Sequence, residues 1–86
     1  MNFIKEACVE TFEQAITAEK NGADRIEICS NLNLEGLTPS RELVRKLIKT
    51  LNIPIKVMIR PKAGDFCYGR HEINEMFDDI AYFRSL

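Results

Sequence analysis

Two Glu-x-Cys steps, Glu6-Ala7-Cys8 and Glu27-Ile28-Cys29, carry the residue types best suited to chemistry in this chain. Side chains alternate across an extended strand, so Glu6 and Cys8 share a face with Ile4, while Glu27 and Cys29 oppose Ile26 and Ile28. In the later run Ile53 to Arg60 the apolar Ile55, Val57 and Ile59 take one face, which leaves Met58 and Arg60 on the other. Two carboxylates, two thiols and a guanidinium therefore converge if these runs lie side by side. As thiolates, Cys8 and Cys29 suit a soft ion such as Cu(I) or zinc, although two ligands are too few for a closed zinc site. Glu6, Glu27 and the loop residue Asp65 suit general acid/base work, and Arg60 suits a two-pronged grip on a carboxylate or phosphate. The same residues also permit a purely structural arrangement. Arg60 would pair with Glu27 or Glu6 to plug the sheet interior, and the cysteines would pack as small apolar groups. His71, alone beside a helix start, reads as a solvated or capping residue.

The elements that must position these groups alternate along the chain. Phe3 to Val9 reads as a strand, and Thr11 with Gln14 forms a capping box for a helix. Phe12, Ala15, Ile16 and Ala23 share the face of that helix, which Gly22 ends. Arg25 to Ser30 is a second strand, Asn31 to Leu37 a loop, and Thr38-Pro39 a helix start. Leu43, Val44, Leu47, Ile48 and Leu51 make the next apolar stripe, before a third strand over Ile53 to Arg60. A final helix carries Ile73, Met76, Phe77, Ile80 and Phe83 on one side. Strands separated by single helices call for a parallel sheet, in a doubly wound fold or a (β/α)8 barrel. Neither GxGxxG nor GxxxxGK[ST] occurs, which removes the usual signal of nucleotide-binding doubly wound folds. A barrel uses about 250 residues, or about 31 per unit. The 86 residues thus predict an α/β chain, a parallel (βα)3 segment forming the first three units of a TIM-type barrel, with residues 1–86 a single partial domain.

Composition narrows the partners. Twelve Lys plus Arg against thirteen Asp plus Glu give a net charge of −1, no footprint for a nucleic-acid backbone or an anionic membrane. No apolar run reaches the length of a membrane helix, and the first ten residues lack the pattern of a signal peptide, so a cytoplasmic location is expected. Three cysteines match neither a disulfide framework nor paired CxxC motifs, and are read as reduced thiols. An isolated (βα)3 unit leaves both edges of its sheet open, which predicts a homo-oligomer.

Taken together, Glu6 and Cys8, the run NGADRIEIC (Asn21 to Cys29), GLTPS (Gly36 to Ser40) and IRPKAGDFCY (Ile59 to Tyr68) resemble the CutC copper-homeostasis proteins. These four motifs occur in family order across nearly the whole chain. The resemblance implies a TIM-type barrel associated with copper handling in the cytoplasm, with Cys8 and Cys29 at the positions of the proposed copper ligands. It also implies a polar mouth carried by Glu6, Glu27, Arg60 and Asp65, a set that looks more like an enzyme pocket than a metal carrier. Lys62-Ala63-Gly64-Asp65 departs from the family's Arg-Gly-Gly-Asp, and alanine is less permissive than glycine at a close approach. Family-length chains are also much longer. Three functions follow: a homeostasis protein binding Cu(I) through Cys8 and Cys29; a barrel enzyme acting on a small anionic metabolite, with Arg60 as clamp and Glu27 or Asp65 as acid/base; or an inactive fragment that persists by self-association.

Overall fold

The computed structural model describes residues 3–86. Its elements run β1 (Glu6–Val9), α1 (Phe12–Lys20), β2 (Arg25–Ile28), α2 (Arg41–Thr50), β3 (Ile55–Val57) and α3 (Arg70–Arg84), with a 3-10 turn at Leu32–Leu34. The strands are parallel in the order β1-β2-β3. The parallel (βα)3 architecture expected from the alternation is what the chain adopts.

Register explains why the two faces of the sheet differ. Ala7 pairs with Ile26 and Val9 with Ile28, while Ile26 and Ile28 face Ile55 and Val57. Every one of these is apolar, and they meet the helices: Ala15, Val44 and Leu47, all fully buried, close over Ile26 and Ile28, with Phe83 at the margin. Burial of a Val, Leu or Ile side chain stabilises by roughly 1.5–3 kcal/mol, so this layer holds the unit together. On the opposite, open face Glu6 pairs with Arg25, and Cys8 with Glu27, which in turn faces Lys56.

All three strands are shorter than the alternation predicts. β1 begins at Glu6 rather than Phe3, because its ladder partner begins at Arg25; Phe3 and Ile4 are exposed. Lys5 is held at the entry by Asp24, whose carboxylate accepts its N–H at 2.7 Å while its own carbonyl accepts the Asp24 N–H at 2.8 Å. β3 covers three of the eight residues expected, since β2 supplies partners for no more.

At α1, Thr11 Oγ1 accepts the Gln14 N–H at 3.1 Å and Gln14 Oε1 accepts the Glu10 N–H at 2.9 Å, a capping box whose return bond reaches one residue further back. Gly22 follows in the left-handed region at φ +91. The cap of α2 is Ser40, not Thr38. Ser40 Oγ accepts the Leu43 N–H at 3.2 Å, while Thr38 Oγ1 accepts the Arg60 N–H at 2.7 Å. α3 buries no residue completely and has no side-chain cap at Gly69. Phe83 anchors it over Ile55 and Val57, and Arg41 of α2 reaches it through Asp79 at 3.2 Å and the Tyr82 ring at 4.2 Å. Of the rest of its expected apolar stripe, Met76 is half-buried while Ile73, Phe77 and Ile80 are exposed, Phe77 to 66 %.

Candidate metal centre

The open face gathers part of the expected constellation. One donor atom each from Glu6, Cys8 and Glu27 lies within 4.8 Å of the others. The grouping follows from the parallel register, which sets Cys8 directly beside Glu27 and leaves Glu6 one pleat repeat before Cys8. Cys29, two residues beyond Glu27, stands outside that trio. Cys8 is exposed, whereas Cys29 is 1 % exposed and directs its Sγ toward the Val9 carbonyl at 3.7 Å.

Electrostatics separate the carboxylate from the thiols. Glu6 binds Arg25 through a side-chain hydrogen bond and lies 3.6 Å from Lys56 Nζ. The Arg25 bond, above all, holds the Glu6 carboxyl below the usual range. Cys8 is pushed up by desolvation first, then by the negative charge of Glu27 and Glu6, with Lys56 opposing. Cys29 is pushed up by desolvation, then by Cys8, Glu27 and Glu10. Both cysteines are therefore neutral thiols at neutral pH, and a metal that binds them must displace protons.

Arg60 lies elsewhere than the sequence suggested. It is buried, yet it pairs with neither Glu6 nor Glu27: Nη1 donates to the carbonyls of Leu34 at 2.9 Å and Gly36 at 3.2 Å, and Nη2 donates to that of Gly64 at 3.1 Å. Its Nε is buried without a partner. The ion-pair plug is thus replaced by Arg25 and Lys56 on Glu6, because those cations stand on the open face beside it and Arg60 lies beyond the end of β3. Asp65 is exposed in the β3–α3 loop, where its carboxylate accepts the Cys67 N–H at 3.2 Å.

A sequence profile of the CutC family matches residues 3–86. The chain belongs to the CutC family. Among curated relatives, the copper homeostasis protein cutC homolog of Homo sapiens is 47 % identical over 78 residues, covering 91 % of this chain and 29 % of that protein. A CutC family protein of Pasteurella multocida is 43 % identical over 81 residues, covering 94 % and 33 % respectively. The crystal structure of a CutC protein from Streptococcus agalactiae superposes with a TM-score of 0.87 at 31 % identity, over 96 % of this chain and 41 % of that one. The chain spans about a third of the length of the curated relatives it matches.

Arg25 and Lys56 are the charged residues of this CutC face that the Glu-x-Cys pattern passes over. The signal for them was present, since Arg25 shares strand parity with Glu27 and Lys56 shares parity with Met58. The alanine at 63 turns out to cost nothing in backbone strain. Gly64, which is retained, takes the left-handed φ of +96, and Ala63 is not among the residues with positive φ.

Proposed function

We propose that this CutC chain takes part in copper homeostasis, receiving Cu(I) on the open face of the sheet through Cys8 and Cys29. The observation that carries the reading is the exposed Cys8 thiol set against the Glu6 and Glu27 carboxylates at the β1–β2 step. The names of the relatives, which include a copper homeostasis protein, support the choice of metal. Arg25 and Lys56 offset the charge of Glu6 and Glu27, so the selectivity of this face for a soft ion rests on the thiol donor rather than on a net negative field. Cys8 would meet the ion first, and Cys29 on the adjacent strand would add the second thiolate, each releasing a proton. With Cys29 two residues past the strand partner of Cys8, their Cα atoms stand about 8 Å apart, so sharing one ion requires the Cys29 thiol to leave the Val9 carbonyl and turn toward Cys8. A reducing compartment, the cytoplasm, suits the unpaired cysteines.

The enzyme reading, with Arg60 clamping a small anionic metabolite, has less support. Three of the five guanidinium N–H donors already serve backbone carbonyls, so what is left to an anion is the second Nη2 N–H and the unpartnered Nε–H, which is buried and reached only past the surrounding loops. Titration with Cu(I) under reducing, oxygen-free conditions against a chromogenic chelator tests the proposal. Stoichiometric uptake by the parent chain that is lost in the Cys8→Ser, Cys29→Ser double variant is the expected result. Equal uptake by both would overturn the ligand assignment.

A further inference from the structure

Cys29 presents a difficulty for any reactant. It sits at the end of β2 next to an exposed thiol, yet it is itself 1 % exposed. Gly36 lies against it: a Cβ at that position would stand 3.5 Å from Cys29 Sγ and 3.4 Å from Met58 Cε. Gly36 closes a short excursion of the chain. The excursion's neck is an isolated antiparallel bridge in which the Ser30 N–H donates to Leu37 O at 2.8 Å and the Leu37 N–H donates to Ser30 O at 2.7 Å. Between the two lie residues 31–36, three of them in the left-handed region: Asn31 at φ 50, Glu35 at φ 67 and Gly36 at φ 92. Asparagine tolerates that conformation, but for Glu35 it is strained and persists only where surrounding contacts enforce it.

Those contacts come from both neighbouring strand ends. From beyond β1, the Glu10 carboxylate accepts the Leu32 N–H at 3.0 Å. From beyond β3, Arg60 Nη1 donates to Leu34 O and Gly36 O, while Nη2 donates to Gly64 O and so ties in the next loop. The Phe66 ring lies 5.1 Å from the Arg60 guanidinium carbon and covers it from outside. The backbone ladder of β2 would stand without any of these bonds; what they hold is the excursion.

We propose that residues 31–36 are a strap over the Cys29 thiol, latched by Arg60 on one side and Glu10 on the other, and that lifting the strap admits a reactant to that thiol. Its role in metering copper rests on the Cu(I) reading above. The strap itself does not, and it can be tested without metal.

The test uses the Cys8→Ser, Cys67→Ser protein, in which Cys29 is the one remaining thiol. Alkylation by iodoacetamide, which forms a sulfur–carbon bond and expels iodide and a proton, is timed across a series of urea concentrations below the unfolding transition. Local lifting gives a rate that is flat at low urea and then climbs in step with global unfolding. Replacing Arg60 by Met or Lys keeps the side-chain stem but not the forked donors, and should raise the flat part by about tenfold or more, as loss of a charge-assisted hydrogen bond would do. Far-UV dichroism should stay unchanged. Glu10→Ala should act in the same direction from the other side. Should the Arg60 variants fail to fold, the urea series on the latched protein and Glu10→Ala still decide. A rate that follows urea steeply from the first addition shows that only global unfolding exposes Cys29 and overturns the strap, as does an unchanged flat rate in the latch variants. Since no copper is present, either failure leaves the Cu(I) proposal standing on its own test.

Discussion

At the scale of single residues, the raised thiols of Cys8 and Cys29 set the pH at which the proposed chemistry works. Because each must lose its proton to bind a metal, apparent Cu(I) affinity should climb with pH by up to about tenfold per unit for each thiol displaced. It should level off once the free thiols ionise unaided. Chelator competition at several pH values reads this directly. The metal-free fold carries the opposite slope. A thiol whose folded pKa is raised contributes stability below its unfolded value and loses it as pH rises through the folded value, so thermal midpoints should fall in the alkaline limb. The Cys8→Ser, Cys29→Ser variant should lack that limb. Glu6 behaves in reverse: Arg25 lowers its pKa, so its contribution is present above the unfolded carboxyl value and is lost as acid carries the pH down through the folded one. Glu6→Gln should flatten the acid limb of the same series. Strand parity alone predicts that Glu6, Cys8 and Glu27 share a face. It cannot reveal Arg60's partners, because they are backbone carbonyls of Leu34, Gly36 and Gly64, and a carbonyl carries no residue-type signal.

Elements add a second layer of expectation. Ser40 caps α2, so Ser40→Ala should cost about 1 kcal/mol in urea unfolding, whereas Thr38→Val should leave the helix start intact and loosen the Arg60 backbone instead. The misplaced helix start has a plain cause: Thr38-Pro39 and Ser40 both satisfy the local rule, and the choice between them is made by Arg60, twenty-two residues away, whose N–H takes the threonine hydroxyl. Apolar periodicity reads α2 correctly as a core helix, since Val44 and Leu47 are fully buried. In α3 the same signal marks Phe77, which is 66 % exposed. Periodicity records that a face is apolar, not what covers it. Leu47→Ala should therefore cost about 2–5 kcal/mol, while Phe77→Ala should change stability by no more than about 0.5 kcal/mol. Equal losses would show that α3 is covered in solution.

For the whole molecule, the sheet ends at β1 on one side and β3 on the other, and neither outer edge is paired among the described residues. Phe3, Ile4, Ile73 and Phe77 add exposed apolar surface. Such edges and faces recruit copies of themselves. Light scattering on the 86-residue chain should accordingly give a mass that grows with concentration, and Ile73→Lys with Phe77→Lys should reduce it; a monodisperse monomer at all concentrations would show that the open surfaces are self-sufficient. The strand order has one more consequence, and it concerns synthesis. Each strand lies beside the one made just before it, so at every stage of translation the newest strand meets an edge that is already in place. A ribosome feeding out these three strands never has to hold one back beyond the next strand for its partner.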